Sequence, residues 1–411
     1  MAAALTIVIP TYNRPADLGR LVRYIGTAIP AARAVVLDSS RGDAATGARS
    51  VCLAHPTVTY RSYPPEARFY EKLADGIDRF VDTDAVCLCA DDDLLVGPGI
   101  LDAARVIETD QTVAVAHGYY AQFTLHGGGG RLTGLGTIAP ASTSSDPMAR
   151  IAEGLLSYEA TLYAVHRREL LIDILKEASS APSLLSAELL TCVLALSAGR
   201  MHRVQAFTHA RSIAPSHGYS HWHPAEALAV DPARLGAGLA FVRSRLLARH
   251  PELPDTRLRV FDLALFAYVA SYVQPGTARR IARMAIEGAG DQQRLDVGWS
   301  AFTASLQPTR SMSAVRGSAP ARWVKSRLAG HPEIRERLLR LMRNGARHVP
   351  TEGVKLADGR LTTIALEAGF TERLASIPLA IDAPATRSLV EAMAIYSEGL
   401  LKPAPKFPEG P

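Results

Sequence analysis

Asp84-Ala85-Val86-Cys87-Leu88-Cys89-Ala90-Asp91-Asp92-Asp93 is a brief apolar run that ends in three consecutive carboxylates. Small and β-compatible residues in so short a run predict a buried strand. Parallel strands carry their ligand sites at their carboxyl ends. Three adjacent acids at such an end repel one another unless positive charge lies between them. Hard oxygen ligands suit Mg²⁺, Mn²⁺ or Ca²⁺, and a cation so placed commonly holds phosphates. The plain alternative is a solvated acidic turn.

The chain start supplies the companion signal. Leu5-Thr6-Ile7-Val8-Ile9 is a second apolar β-type run, and it stops at Pro10-Thr11-Tyr12-Asn13-Arg14-Pro15. Pro15 suits the first turn of a helix and Asn13 suits its N-cap. Leu18, Leu21, Val22 and Ile25 then share one helical face. Ala34-Val35-Val36-Leu37 is a third strand candidate and ends at Asp38. The order strand–helix–strand, with a carboxylate at a strand end, predicts an α/β chain.

These residues carry a family likeness. Ile7-Val8-Ile9-Pro10-Thr11-Tyr12-Asn13-Arg14-Pro15 resembles the opening of GT-A-type, family-2-like nucleotide-sugar glycosyltransferases. Asp38 falls where that family has an acid after its second strand, and the acid run falls on its Asp-x-Asp metal motif. Pro98 and Leu101 fit the residues after that motif if Asp91 and Asp93 are its two acids. Leu94 stands where the family often has a further acid. The resemblance spans about residues 5–225. It implies a GT-A (Rossmann-like) mixed sheet flanked by helices over 1–225, with a nucleotide-sugar half (1–117) and an acceptor half (118–225). It implies a metal-dependent, inverting transfer from a nucleotide diphosphate sugar, UDP by family frequency, to an acceptor hydroxyl. Asp91 and Asp93 would hold Mn²⁺ or Mg²⁺. Pro10, Thr11, Tyr12, Asn13, Arg14, Asp38 and Asp92 would contact the nucleotide, with Asp38 accepting from the base ring N–H.

Composition fits a large core: of 411 residues, 48% are apolar. No run of 18 uncharged apolar residues is present, which argues against a membrane span. The start lacks the basic-then-apolar pattern of a secretory signal. Cys52, Cys87, Cys89 and Cys192 show no zinc spacing and read as reduced core residues of a cytoplasmic protein. A net charge of +5 is small for this length and argues against wholesale nucleic-acid binding. A homo-oligomer stays open.

Further along, Val58-Thr59-Tyr60 predicts a strand and 66–80 a helix, with Phe69, Leu73, Ile77 and Phe80 on one face. Arg68 and Lys72 are four apart and so share a helix side. The resemblance places a phosphate-facing basic residue in this region; a solvated helix face is the alternative. A helix at 98–108 and a strand at 112–116 follow. Gly127–Gly130 reads as a hairpin tip or lid, or as inert linker. Residues 139–147 read as loop. Thr161–Val165 is a strand candidate before an Arg-rich helix start. The family has a Glu-Asp pair at a later helix start, with a Gly eleven residues on. Glu188 and Gly199 keep that spacing, while Ala187 replaces the first acid. Glu188 is therefore the candidate general base, with Glu159 and Asp146 as fallbacks. An inverting transfer needs a carboxylate to take the acceptor proton.

His217-Gly218-Tyr219-Ser220-His221-Trp222-His223 gathers three imidazoles. Some GT-A enzymes add a loop His to the metal, so His217 or His221 could serve, with Tyr219 and Trp222 stacking on an acceptor sugar. An ordinary loop is the alternative. Residues 226–401 predict a mainly helical C-terminal domain, with helices at 225–249, 255–273 and 277–288. Residues 309–347 hold ten Lys or Arg against two acids. Within them, Glu333 to Arg347 reads as a basic amphipathic helix for an anionic membrane face, a partner subunit or solvent. Asp358-Gly359 marks a small hairpin, a last helix runs from Ala385 to Leu401, and 402–411 reads as a disordered tail. Three rival functions remain, one of them a nucleic-acid-binding role for the basic segment 309–347, which would show steep salt dependence. A sugar-phosphate nucleotidyltransferase would carry a Gly-rich basic loop after the first strand, unlike Pro10-Thr11-Tyr12-Asn13. A non-catalytic nucleotide- or glycan-binding scaffold would bind without turnover.

Overall fold

The computed structural model describes residues 5–126, 129–136, 141–213, 231–272, 351–355, 361–374 and 384–398, with Pro224, Ala227 and Ile377. The first half is β1 (Leu5–Thr11), α1 (Pro15–Ala28), β2 (Ala32–Asp38), α2 (Gly42–Leu53), β3 (Val58–Ser62), α3 (Phe69–Phe80) and β4 (Ala85–Leu88). These strands are parallel in the order β4-β1-β2-β3. Their register sets Thr11 beside Asp38 and Val8 beside Leu88, so the loops after β1, β2 and β4 leave from one edge.

Alternation along each strand builds two cores, one on each face. Val8, Val35, Leu37, Val86 and Leu88 face one core, while Ile7, Ile9, Val36 and Cys87 face the other. Both faces are covered, which is why these strands read as continuous apolar runs. All four cysteines are buried and unpaired.

The chain continues with β5 (Leu94–Leu95), α4 (Gly97–Thr109), β6 (Val113–His126), β7 (Gly129–Leu135) and α5 (Pro147–Leu156). Gly129 and Gly130 open β7, which is antiparallel to β6, while 127–128 lie outside the described residues. The strand expected at Thr161–Val165 is displaced. Thr161–Tyr163 is a 3₁₀ turn, closed by His166 Nε2 2.7 Å from the Thr161 carbonyl, and β8 follows at Val165–Arg167. Next come α6 (Arg168–Ala178), α7 (Leu184–Ala198) and β9 (Arg200–Ser212). β8 is antiparallel to both β4 and β6, and β9 is parallel to β6, so the sheet is mixed.

The described segments beyond residue 226 pack against the first half. Helices α8 (Pro232–Arg249) and α9 (Asp255–Ser271) bury Leu239, Val242, Phe261 and Tyr268 in the same core as α7. The hairpin of β10 (Thr351–Lys355) and β11 (Leu361–Leu366) is the sheet's edge, with β11 parallel to β7. Helices α10 (Ala368–Leu374) and α11 (Pro384–Glu398) close the opposite core. Tyr396 of α11 packs edge-on to Tyr24 and Phe123, with Arg20 over its ring. These segments thus complete the N-terminal sheet, because its apolar faces extend past what residues 5–225 cover. The His217–His223 stretch, the helix read at 277–288, the basic segment 309–347 and the tail lie outside the described residues. Among the described residues, no helix is long and apolar enough to cross a membrane.

If α11 belongs to this core, Tyr396→Ala should destabilise the whole chain by about 3 kcal/mol or more, as other buried aromatic truncations do. Urea unfolding followed at the N-terminal half would show it; an unchanged midpoint would detach α11 from the fold.

Candidate active site

The site is built where three loops leave the parallel strands. After β1, Asn13 takes a left-handed backbone (φ 56°), a conformation that Asn tolerates better than most residues. It is not the N-cap expected from the sequence, because Arg14 holds that place and Pro15 opens α1. Asn13 instead ties two loops together. Its N–H donates to Ser40 Oγ (2.7 Å) and its side-chain oxygen accepts from Arg41 N–H (3.0 Å). Tyr12 beside it is exposed.

Arg14 makes no capping bond with its own helix. Its guanidinium reaches Asp91 (3.2 Å) and Asp92 (3.4 Å). Thr11 donates its hydroxyl to the other Asp91 oxygen at 2.6 Å. Burial pushes the Asp91 carboxyl up to about 6, against the opposing pull of Thr11 and Arg14. Asp38 is buried and accepts from Ser40 N–H and from the Tyr60 hydroxyl, both at 2.8 Å.

Arg68 and Lys72 differ in burial. Arg68 stands before the first turn of α3 with an extended backbone, is exposed, and pairs with Glu71. Lys72 is buried and donates to Ser39 Oγ at 2.9 Å. Burial lowers its ammonium to about 8, opposed by Asp38 and Asp91. Gly76 makes this placement possible, since a Cβ there would lie 2.4 Å from Leu37 and push α3 off β2.

Asp93 turns the other way. β5 pairs antiparallel with β9, setting Leu94 against Ala210 and Leu95 against His209. Asp93 accepts from Ser212 N–H (2.8 Å) and lies 3.1 Å from His209 Nε2. One step back along that register is Arg211. Burial would lower its guanidinium, but Asp93 first, then Tyr163 and Glu188, hold it above the usual arginine range.

Glu188 is the only charged residue of α7, a helix apolar all round and started by a Ser183–Ser186 capping box. Its carboxylate is half-buried and accepts from the Tyr158 hydroxyl at 2.6 Å. The fallback acids lie elsewhere. Glu159 is buried between His117 and Arg203, which outweigh the upward push of burial and lower its carboxyl. Asp146 caps α5 and pairs with Arg257.

Among the described residues, no group of three or more His, Cys, Asp or Glu side chains gathers as a metal cage. The three acids divide instead, Asp91 and Asp92 toward Arg14 and Asp93 toward His209. Such a donor set fits a cation that takes one or two carboxylates and completes its shell with substrate phosphates and water, as Mg²⁺ commonly does. His217, His221, Tyr219 and Trp222 lie outside the described residues. His209, Arg211, Tyr158 and Tyr163 escape the sequence reading. β9 has apolar residues at Met201, Val204, Ala206, Phe207 and Ala210, a spacing that does not alternate and so marks no strand.

No protein-family model and no curated protein matches this chain. Among solved structures, TarS 1–349 of S. aureus is similar, with a TM-score of 0.48 and 12% identity over 73% of this chain and 88% of that one. A Pyrobaculum calidifontis mannosyltransferase, in complex with GDP-Man and Mn²⁺, aligns at TM-score 0.38 and 15% identity over 83% and 84% of the two chains. Glucosyl-3-phosphoglycerate synthase of Mycobacterium tuberculosis aligns at 0.37 and 15%, over 59% and 82%. At these identities the likenesses transfer no residue role to this chain.

The raised Asp91 carboxyl has a stability consequence. Its folded value of about 6 exceeds the ordinary 3.8. The folded chain therefore binds the extra proton between those values, and stability falls as pH rises from about 4 through about 6. Asp91→Asn should remove that slope and leave the ligand-free chain up to about 3 kcal/mol more stable at pH 7, from roughly two pK units. Urea midpoints at pH 4, 5, 6 and 7 check this; a variant less stable than wild type at pH 7 would contradict it.

Proposed function

We propose that this chain is a metal-dependent, inverting glycosyltransferase that moves a sugar from a nucleotide diphosphate donor, UDP-linked by default, to an acceptor hydroxyl. What supports this above all is the buried Asp91, held by Thr11 at 2.6 Å and Arg14 at 3.2 Å where the loops after β1 and β4 meet. Arg211 feels both Asp93 and Glu188, which links the acid run electrostatically to the lone helix carboxylate. The likeness of Ile7–Pro15 to GT-A-type, family-2-like enzymes points the same way.

On this reading the donor lies along the carboxyl ends of β4, β1 and β2. Asp38 accepts from the base ring N–H, and exposed Tyr12 lies alongside. Lys72 and Arg14 face the diphosphate. Asp91 and Asp93 are the residues that would hold a divalent cation, which would supply positive charge to the leaving group. The acceptor oxygen bonds to the anomeric carbon from the opposite side. The carbon–oxygen bond to the diphosphate breaks, and its electron pair leaves with the nucleotide. Glu188 takes the acceptor proton, and the Tyr158 hydroxyl holds its carboxylate in place.

Thermal shifts with UDP, GDP, CDP and dTDP, with and without Mn²⁺, test the donor half. A diphosphate at 100 times its Kd adds about 2.7 kcal/mol. One diphosphate should give a Mn²⁺-dependent shift that Asp93→Asn abolishes. Glu188→Gln should keep the shift and slow transfer by about 10²–10⁴-fold. Full activity of that variant would remove Glu188 as base, and binding without turnover in wild type would leave the scaffold reading standing.

A further inference from the structure

Arg14 is an odd occupant of a helix start. A cation there opposes the positive end of the helix dipole, and its side chain gives α1 no capping bond. The guanidinium reaches the acid run instead, 3.2 Å from Asp91 Oδ1 and 3.4 Å from Asp92 Oδ2. The other Asp91 oxygen, Oδ2, accepts from the Thr11 hydroxyl at 2.6 Å. Both oxygens of this buried carboxylate are therefore engaged by groups that lie between the end of β1 and the start of α1. A cation that takes Asp91 as a ligand has to share Oδ1 with Arg14 or displace it.

Charge at the site is already close to balanced. Among the described residues, Arg14 answers Asp91 and Asp92, Lys72 feels Asp38 and Asp91, and Arg211 feels Asp93. A divalent cation arriving alone meets acids whose charge is largely taken up, with Arg14 beside them as a like charge. Arg14 is also the member of the group best placed to move. Its side chain is 27% exposed, against 5% for Asp91 and 14% for Asp92. A guanidinium binds phosphate in a two-pronged, charge-assisted way, so a nucleoside diphosphate offers Arg14 a second anionic partner.

We propose that Arg14 is the resident counter-ion of the acid run and competes with the divalent cation for it. Metal alone is then held weakly, and the donor diphosphate, by taking Arg14 onto its phosphates, frees Asp91 for the metal. Metal and nucleotide thus enter as a pair. The proposal rests on the transferase reading above for the cation and the diphosphate, and adds to it the order in which the site fills.

The test uses the full chain and Mn²⁺ alone, followed by loss of the paramagnetic resonance signal of the free ion, and then Mn²⁺ with the diphosphate that the thermal shifts pick out. Arg14→Gln, which removes the charge and keeps a polar side chain, should tighten binding of Mn²⁺ alone about tenfold or more, since even in water a double charge a few ångströms from a single one is repelled by that much. Arg14→Lys, which keeps the charge, should stay within about threefold of wild type. Asp91→Asn added to Arg14→Gln should erase the gain. In wild type the diphosphate should tighten Mn²⁺, and in Arg14→Gln that coupling factor should shrink by about tenfold, read equally from either ligand. Unchanged or weaker Mn²⁺ binding in Arg14→Gln overturns the proposal, because an arginine that only positions the acids gives that result. A wild type that takes Mn²⁺ equally well with and without the diphosphate overturns it too, and needs no variant to fold. If neither protein takes up Mn²⁺ alone while the Mn²⁺-dependent diphosphate shift persists, the competition fails and the transferase reading stands. If that shift is missing as well, the transferase reading itself has failed.

Discussion

Three carboxylates in successive residues have to be kept from driving one another apart. Two like charges 4 Å apart repel by about 1 kcal/mol in water and about 4 kcal/mol near a protein surface. Asp91 and Asp93 are both buried, where screening by water is weak. The compensation comes from separate parts of the chain. Arg14 arrives from the start of α1, Lys72 from α3, and His209 and Arg211 from β9. Much of the neighbouring architecture keeps those groups in reach. Asn13 locks the first two loops together, Gly76 lets α3 close on β2, and the β5–β9 pairing delivers Asp93 to its partners.

A second polar cluster has a different use. Glu159 sits buried between His117 of β6 and Arg203 of β9. A buried carboxylate is tolerated when its partners are in place and is costly when one is removed. The pair therefore helps to align β6 with β9, and through β9 it bears on His209 and Arg211. α4 fits against the same strand because Gly99 has no Cβ; one would lie 2.0 Å from the Phe207 carbonyl.

The first half of the fold is legible in the sequence because each element carries its own local mark. β1, β2 and β4 are short apolar runs, α1 has a spaced apolar face and Pro15 at its start, and the acids sit at strand ends. β9 is hidden because Arg203, Gln205 and His209 interrupt its apolar pattern. Two of them are explained only by distant partners, Glu159 for Arg203 and Asp93 for His209. Thr161–Tyr163 has strand-like composition, yet a contact from His166 helps close it into a turn. Arg68 and Lys72 are one helical turn apart, with the Lys72 N–H bonded to the Arg68 carbonyl, but only Lys72 is buried.

By itself, the sequence determined the α/β opening, the strand-end position of Asp38 and Asp91–Asp93, the apolar helix that carries Glu188, and the Asp-Gly hairpin near residue 358. Local periodicity and turn chemistry act over a few residues, so a single chain segment displays them. Only the tertiary structure decided that the hairpin and α11 complete the first sheet, that Lys72 rather than Arg68 turns inward, and that Arg211 comes within electrostatic reach of Asp93 and Glu188. Those outcomes depend on which apolar faces remain uncovered and which charges lack a counter-charge once the chain has closed on itself, and no local pattern encodes either.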